Sequence, residues 1–332
     1  MLAVALGART IAEMRAALAQ AARVADVAEL RLDYLQEPCR LPSLLHARPC
    51  PVIVTNRPLR EGGLYRGDES ARVEALREAC ALGAEHVDVE WDSAEGFLRG
   101  LARDRTKVII SRHDFHAVPP NLEEVHQRLR AQGADIVKVA GMPRGLGDAL
   151  DMLECLAQAE APTIAIAMGE HGLVSRVLAL RYPACYLTFA ALDDAQAVAP
   201  GQIAAAAMRE IFQADRIGPA TIVYGALGPH GGDRAEWQRM TLALREAGLD
   251  AVYVPLKLGP GDDLRACLNR LLRLGLRGVR VEAPIQIEAA QVAGRLEAPA
   301  RRRGRVDTLY WDGERWIGSW TGREGPLRAW VR

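Results

Sequence analysis

The chain has 332 residues, 49% of them apolar, and its 42 Lys plus Arg balance 42 Asp plus Glu to a formal net charge of +0. That is enough apolar side chain for a large core, and it leaves no global field to draw the chain to nucleic acid or to an anionic membrane surface. The six cysteines, at 39, 50, 80, 155, 185 and 267, show no Cys-x-x-Cys spacing and no pairing with nearby histidines, so reduced thiols and a cytoplasmic location are expected.

From Met1 to about Phe212, short apolar runs alternate with segments of helical period or turn chemistry. Strands are predicted near 2–6, 27–33, 51–55, 86–90, 107–111, 135–140, 162–167 and 185–189. The apolar opening lacks a basic leader and is too short for a signal or membrane segment, so it reads as the first strand. Eight β/α units in roughly 215 residues fit a TIM (β/α)8 barrel. The competing doubly wound sheet would call for a Gly-x-Gly-x-x-Gly turn after a strand, and none follows one here.

Alternation sets Glu29, Arg31 and Asp33 on one face against Leu30 and Leu32, and Asp88 and Glu90 against Val87 and Val89. Outward leucines and valines would meet helices, leaving the charges in the lumen, where each costs several kcal/mol unless paired or bound to a polar ligand. A functional cavity accounts for this pattern better than a structural core. Barrel enzymes place their chemistry at the C-terminal strand ends. The third strand runs into Thr55-Asn56-Arg57 and then Arg60-Glu61-Gly62-Gly63, read as a flexible loop. The fifth runs into Ser111-Arg112-His113-Asp114-Phe115, where a histidine suits general acid–base work near neutral pH. After the seventh, Gly169–Gly172 leads to Ser175-Arg176 at a helix start, which suggests an anionic substrate group. Ala197–Gln202 follows the eighth.

The sixth run, Ala134–Ala140, carries a lone ammonium, with Lys138 sharing a face with Ile136 and Ala140. An apolar setting would strip hydration from the charged form and favour a neutral amine able to form a Schiff base. The alternative is a strand-end lysine whose amine reaches solvent.

Taken in order, these motifs are Glu29-Leu-Arg31-Leu-Asp33, Arg57 with Glu61-Gly-Gly, Ser111-Arg-His113-Asp-Phe115, Lys138, Ser175-Arg176 and Ala199-Pro-Gly-Gln202. The segment from Met1 to about Phe212 resembles type I 3-dehydroquinate dehydratase over essentially that family's whole length. The resemblance implies conversion of 3-dehydroquinate to 3-dehydroshikimate in the shikimate pathway, with no metal and no dissociable cofactor. By it, Lys138 would form a Schiff base with the substrate ketone and His113 would move the protons of a syn-type elimination. Glu61 would orient His113, Arg176 would take the substrate carboxylate, and Glu29, Arg31, Arg57 and Gln202 would hold hydroxyls or shape the site. One position departs from the family. Its lid loop usually carries a serine four residues before the glutamine matched by Gln202, and this chain has Val198. Loss of that hydroxyl contact, roughly 0.5 to 1.5 kcal/mol, predicts about tenfold weaker substrate binding.

Beyond a linker near 213–219 the pattern restarts, with a strand at 221–228, a helix at 233–247, a strand by 255, a helix at 261–274 and another strand by 284. Residues 220–332 resemble the N-terminal, substrate-binding domain of shikimate dehydrogenase in degenerate form. That family's Asn-Val-Thr-x-Pro-His-Lys reads Arg280-Val-Glu-Ala-Pro-Ile-Gln286, its paired aspartate falls on Gly322, and its two carboxylate-gripping serines appear as Arg234 and Glu236. The chain stops at Arg332 before any glycine-rich phosphate loop. A nicotinamide-binding domain and dehydrogenase activity are therefore not expected. The expected organisation is a barrel over 1–214 and a degenerate second domain over 220–332, in a homodimer, with 3-dehydroquinate as partner and neither nucleic acid nor membrane. Trp311, Trp316, Trp320 and Trp330 read as exposed packing candidates, with ordinary local core the alternative, and Arg301–Arg303 with Arg305 as a solvated loop. Two other readings stay open, a Schiff-base enzyme of another reaction such as an aldolase, and a catalytically weakened metabolite-sensing or scaffold protein.

Overall fold

In the computed structural model, which describes residues 1–102, 105–194, 201–322 and 325–331, the eight expected strands form. They are β1 (Leu2–Leu6), β2 (Val27–Arg31), β3 (Val52–Thr55), β4 (His86–Glu90), β5 (Lys107–Asp114), β6 (Ile136–Gly141), β7 (Thr163–Ala167) and β8 (Thr188–Ala190). All pair in parallel, in the order β7-β6-β5-β4-β3-β2-β1-β8. Beside β7 the circle is completed by the Thr163 amide donating to the Ala184 carbonyl at 2.8 Å and the Tyr186 amide donating to the Thr163 carbonyl at 2.9 Å. Around it run α1 (Ile11–Ala21), α2 (Leu41–Leu45), α3 (Glu69–Ala81), α4 (Ala94–Leu98), α5 (Leu122–Ala131), α6 (Leu146–Gln158), α7 (Leu173–Leu178) and α8 (Ala205–Phe212).

The period of two along each strand builds both the core and the site. Outward residues such as Leu30, Val54, Val87, Val108 and Val137 join the helices in one apolar cluster. Inward residues near the strand starts, Ala3, Val27, Ile53, Ile109, Ile136 and Ile164, form a second, lumenal cluster. Two positions further on, the same faces become Glu29, Thr55, Ser111 and Lys138, and two further still Arg31, Arg57 and His113. The apolar floor is what allows a charged layer above it. Each valine or isoleucine of that floor contributes roughly 1.5–3 kcal/mol on burial, on the scale of the several kcal/mol that a poorly paired buried ion costs.

Three local readings are corrected. β2 stops at Arg31 because Leu32–Tyr34 turns as a 3-10 helix, although Asp33 stays buried. β5 runs on to Asp114, since its pairing with β6 continues to Asp114 opposite Gly141, so His113 stands on a strand. The segment after β3 is an ordered 3-10 turn, Leu59–Glu61, closed by Gly62 at φ 74°, and a Cβ on Gly63 would lie 2.0 Å from the Arg57 carbonyl oxygen. Val198, Ala199 and Pro200 lie outside the described residues.

A second sheet contains β9 (Ile222–Gly228), β10 (Ala251–Lys257), β11 (Leu276–Val281), β12 (Arg295–Leu296), β13 (Thr308–Trp311) and β14 (Trp316–Ser319), in the order β10-β9-β11-β13-β14-β12. β13 runs antiparallel to both its neighbours. Its helices are α9 (Arg234–Glu246), α10 (Leu264–Arg273), α11 (Gln286–Val292), α12 (Ala298–Arg303) and α13 (Leu327–Trp330). The tryptophans are local core rather than exposed. Trp316 and Trp330 are buried and Trp311 and Trp320 half-buried, with Trp330 stacked on Tyr224 at 4.7 Å. Arg301–Arg303 end α12 instead of forming a loop, and Arg303 and Arg305 lie 5.1 and 4.9 Å from the Trp320 ring centroid.

The second sheet and its helices pack on α8, on α7 and on α6. Helix α6 starts at Gly145, which has no side chain to cap it, and the Asp262 carboxylate accepts instead from the Leu146 amide at 2.7 Å and the Gly147 amide at 3.0 Å. Arg270 forks onto Glu154 at 2.9 and 2.8 Å and reaches Asp151 at 2.6 Å, while Phe212 stacks on Trp237 at 5.8 Å. Among the described residues no helix is long and apolar enough to cross a membrane.

Candidate active site

The C-terminal ends of the barrel strands surround a cleft with about 580 Å³ of space, open to solvent at its mouth. Lys138, His113, Glu61, Glu29, Arg31, Arg57, Arg176 and Gln202 all line it, so the sequence-derived residues converge on one place. Ala5, Gly62, Phe115, Ala140, Ile166, Met168 and Phe189 complete the wall.

The register of β6 puts Lys138 opposite Ser111 of β5 and Ile164 of β7. Its Nζ lies 2.7 Å from Asp88 Oδ2, 3.5 Å from Glu29 Oε1 and 4.7 Å from the Phe189 ring centroid. The amine is buried, as expected, but its setting is not apolar: two carboxylates and a ring face surround it. Asp88 also receives Arg57 Nη2 at 2.8 Å and the Ser111 hydroxyl at 2.6 Å. Burial alone would push the Asp88 carboxyl up, but the charges of Arg57 and Lys138 outweigh it and hold the group well below the usual carboxylate range. Arg57 donates on to Glu90 at 2.6 Å, and the fully buried Arg72 closes on the other Glu90 oxygen at 2.5 Å. Burial raises the pKa of Glu90 despite the attraction of Arg57 and Arg72. The lumenal charges thus form a chain of alternating sign, which is how they are tolerated away from water.

His113 faces the same cleft. Its backbone amide donates to Glu61 Oε2 at 2.7 Å, and its Nδ1 lies 2.9 Å from the same oxygen. Phe115 stacks over the ring at 6.3 Å between centroids. Burial, then the charges of Arg57 and Lys138, push the imidazole well below its ordinary value, so it is neutral at pH 7. Glu61 is pushed up to about 7, chiefly by burial, against the pull of Arg57 and the His113 amide. A carboxylate on Nδ1 leaves Nε2 of a neutral ring free to take a proton.

The other cations of the cleft differ in partners. Arg31 makes a two-pronged pair with Asp33, at 2.8 and 2.7 Å, and Asp33 also receives the amides of Arg57 at 3.2 Å and Leu64 at 3.0 Å. Asp33 therefore pins the start and end of the turn that carries Glu61. Arg176, on α7, is fully buried, donates to the Phe189 carbonyl at 3.3 Å, and burial lowers its pKa to about 10. An amine, a neutral imidazole held by a carboxylate, and a buried guanidinium in one cleft can together bind an anionic carbonyl compound, form an imine and remove an α proton. Among the described residues no group of three or more His, Cys, Asp or Glu is placed to hold a metal ion.

Sequence reasoning gave no role to Asp88, Asp33 or Phe189. The signal for Asp88 was present, an acidic residue on the inward face of β4. That it meets Lys138, two strands away, depends on barrel closure and is not a local property.

The type I 3-dehydroquinase family matches residues 2–219. A bifunctional 3-dehydroquinate dehydratase/shikimate dehydrogenase of Arabidopsis thaliana, described as chloroplastic, is 33% identical over 293 residues, covering 86% of this chain and 48% of that protein. The chain thus spans about half the length of that relative. A 3-dehydroquinate dehydratase of Methanopyrus kandleri is 37% identical over 219 residues, 64% of this chain and 99% of that protein. Among solved structures, a 3-dehydroquinate dehydratase from Geobacillus kaustophilus superposes with a TM-score of 0.56 at 26% identity, over 63% of this chain and 88% of that one. A dehydroquinate dehydratase and shikimate dehydrogenase structure from S. pombe shares the fold, with a TM-score of 0.53 at 22% identity, over 96% of this chain and 64% of that one.

Proposed function

The chain belongs to the type I 3-dehydroquinase family, and on that premise we propose that its barrel dehydrates 3-dehydroquinate to 3-dehydroshikimate through a Schiff base on Lys138. The observation that carries this reading is the convergence of Lys138, the His113–Glu61 pair and Arg176 on one cleft.

The Lys138 amine adds to the C3 ketone and loses water to give an iminium ion, an electron sink that acidifies the C2 hydrogen. His113, neutral and held through Nδ1, takes that proton on Nε2 and leaves an enamine. The enamine expels the C1 hydroxyl, which the same imidazolium protonates, so water departs. Hydrolysis of the imine then releases 3-dehydroshikimate and returns the amine. Asp88 and Glu29 stabilise the cationic nitrogen, while Arg57 keeps both anions compensated. Arg176 binds the substrate carboxylate, and Arg31 and Gln202 shape the site.

The second sheet is assigned no dehydrogenase activity. Its matched polar positions are already engaged within the protein: Glu282 accepts from the amides of His230 at 2.8 Å and Gly232 at 3.0 Å, Glu236 holds both Arg280 and the Tyr253 hydroxyl, and Arg234 pairs with Asp194 of the barrel. Gln286, where the resemblance calls for a lysine, donates to the Val281 carbonyl.

The test is to incubate the protein with 3-dehydroquinate and borohydride, locate any reduced adduct by mass spectrometry, and follow the enone by ultraviolet absorbance. An adduct on Lys138 with enone formation is expected. Absence of both overturns the reading, and an adduct without enone points to a different reaction. With 3-dehydroshikimate and reduced nicotinamide cofactors no oxidation of the cofactor is expected. A homodimer and a cytoplasmic location complete the proposal, and sedimentation tests the former.

A further inference from the structure

The second sheet touches the barrel at described residues that follow β6, β7 and β8, and Met168 after β7 and Gln202 after β8 line the cleft. After β6, the Asp262 carboxylate accepts from the Leu146, Gly147 and Gly259 amides at 2.7, 3.0 and 2.8 Å. After β7, Lys257 pairs with Glu170 through its amine, and its carbonyl lies 3.1 Å from His171 Nδ1. After β8, Arg234 forks onto Asp194 at 2.6 and 2.9 Å, and Asp194 also accepts from the Ala204 amide at 3.2 Å.

These loops also rest on one another. A Cβ on Gly201 would lie 2.0 Å from the Gly169 carbonyl oxygen, and one on Gly169 would lie 3.2 Å from Met142 Sδ. Met168 and Gln202, the cleft residues beside Gly169 and Gly201, are therefore placed by a stack of three loops, each held from outside by the second sheet.

We propose that the second sheet is a positioning element for the barrel's reaction, with Asp262 as its principal contact and Lys257 and Arg234 as supports, setting Met168 and Gln202 against the substrate. Asp262 leads because it is half-buried and receives three backbone N–H groups, two of them in the first turn of a helix. The Arg234–Asp194 pair is about half exposed, so its weight is small by itself. None of the three lines the cleft. Their effect falls on substrate binding and not on the chemical step.

This inference rests on the dehydratase reading, and its test separates the two. In the full-length chain, Asp262→Ala is expected to raise KM for 3-dehydroquinate about fivefold while kcat stays within about twofold. Arg234→Glu is expected to raise KM by about twofold, and Arg234→Lys to restore the parent value. Hydrogen exchange of the amides at 142–147, 168–172 and 201–205 is expected to quicken in Asp262→Ala, with the core strands unchanged. A lower melting temperature with unchanged KM and unchanged exchange in those loops overturns the proposal, as does a fall in kcat alone. If the parent chain shows no dehydration at all, the functional reading fails and the exchange pattern alone decides: selective quickening supports the positioning role, and its absence overturns it.

Discussion

Glu61 and His113 are joined twice through a single oxygen: Oε2 accepts the His113 backbone amide at 2.7 Å and lies 2.9 Å from the ring Nδ1. The backbone contact fixes the carboxylate whatever the ring's protonation, so the ring is oriented before any substrate arrives. Burial shifts the two groups in opposite directions, the imidazole well below 6.5 and the carboxyl up to about 7.

The pair should therefore titrate as a unit, and kcat/KM should rise through about pH 7 as Glu61 ionises. Glu61→Gln keeps an acceptor but cannot ionise, so its profile should lose that limb, with a plateau lowered about 10- to 100-fold. A limb that persists at the same pH in the variant would assign it to another group. In stability the two groups oppose each other. Glu61, raised from 4.5, contributes stability below 4.5 that is lost as pH climbs to about 7. His113, lowered from 6.5, contributes stability above 6.5 that is lost as pH falls.

Replacing the two central groups should give different failures. Lys138→Ala is expected to abolish both adduct and turnover. His113→Ala is expected to lower kcat by about 10²- to 10⁴-fold while still accumulating a borohydride-trappable imine on Lys138. An untrappable His113→Ala protein would mean that the imidazole is needed before proton abstraction.

Asp88→Asn removes one anion from between Arg57 and Lys138 without changing volume. Since an uncompensated buried charge costs about 3–5 kcal/mol, chemical denaturation should show a loss of that order. The carboxyl is held below its ordinary 3.8, so its contribution is present above that value and lost as pH falls. The variant should accordingly show a shallower acid limb than the parent. Equal slopes would place the anion's contribution elsewhere.

Gly201 has φ 72° and touches the Gly169 carbonyl. Gly201→Ala should therefore cost about 1–2 kcal/mol for the left-handed backbone alone, with the clash in addition. The loss should appear as a KM raised about tenfold, since Gln202 is the next residue. Steady-state kinetics beside a thermal melt checks both parts.

Much of this site could be read from the sequence because it follows the strand period. Glu29, Arg31, Arg57, His113 and Lys138 occupy inward positions two apart above an apolar floor, and local alternation locates them. Their partners were harder to see. Lys138 read as an ammonium in apolar surroundings because Asp88 lies 50 residues away in sequence and meets it only once the barrel closes. The turn after β3 read as flexible because its glycines were visible, while the amides that Asp33 holds across 24 and 31 residues were not. The tryptophans of the second sheet read as exposed because their partners are not local pattern: Trp311 and Trp316 meet across β13 and β14, and Trp330 packs on Tyr224 and Tyr253, far from it in sequence.

The first turn of α6 is finished by a side chain 116 residues downstream of it. During synthesis the barrel's sixth unit thus emerges without its cap and must wait until the rest of the barrel and the first two strands of the second sheet have followed. Contacts of such sequence separation slow folding and bind distant segments into one cooperative unit. The whole chain is expected to melt in a single transition, and the second sheet can lose its own chemistry far more readily than it can lose residues along the line where it meets the barrel.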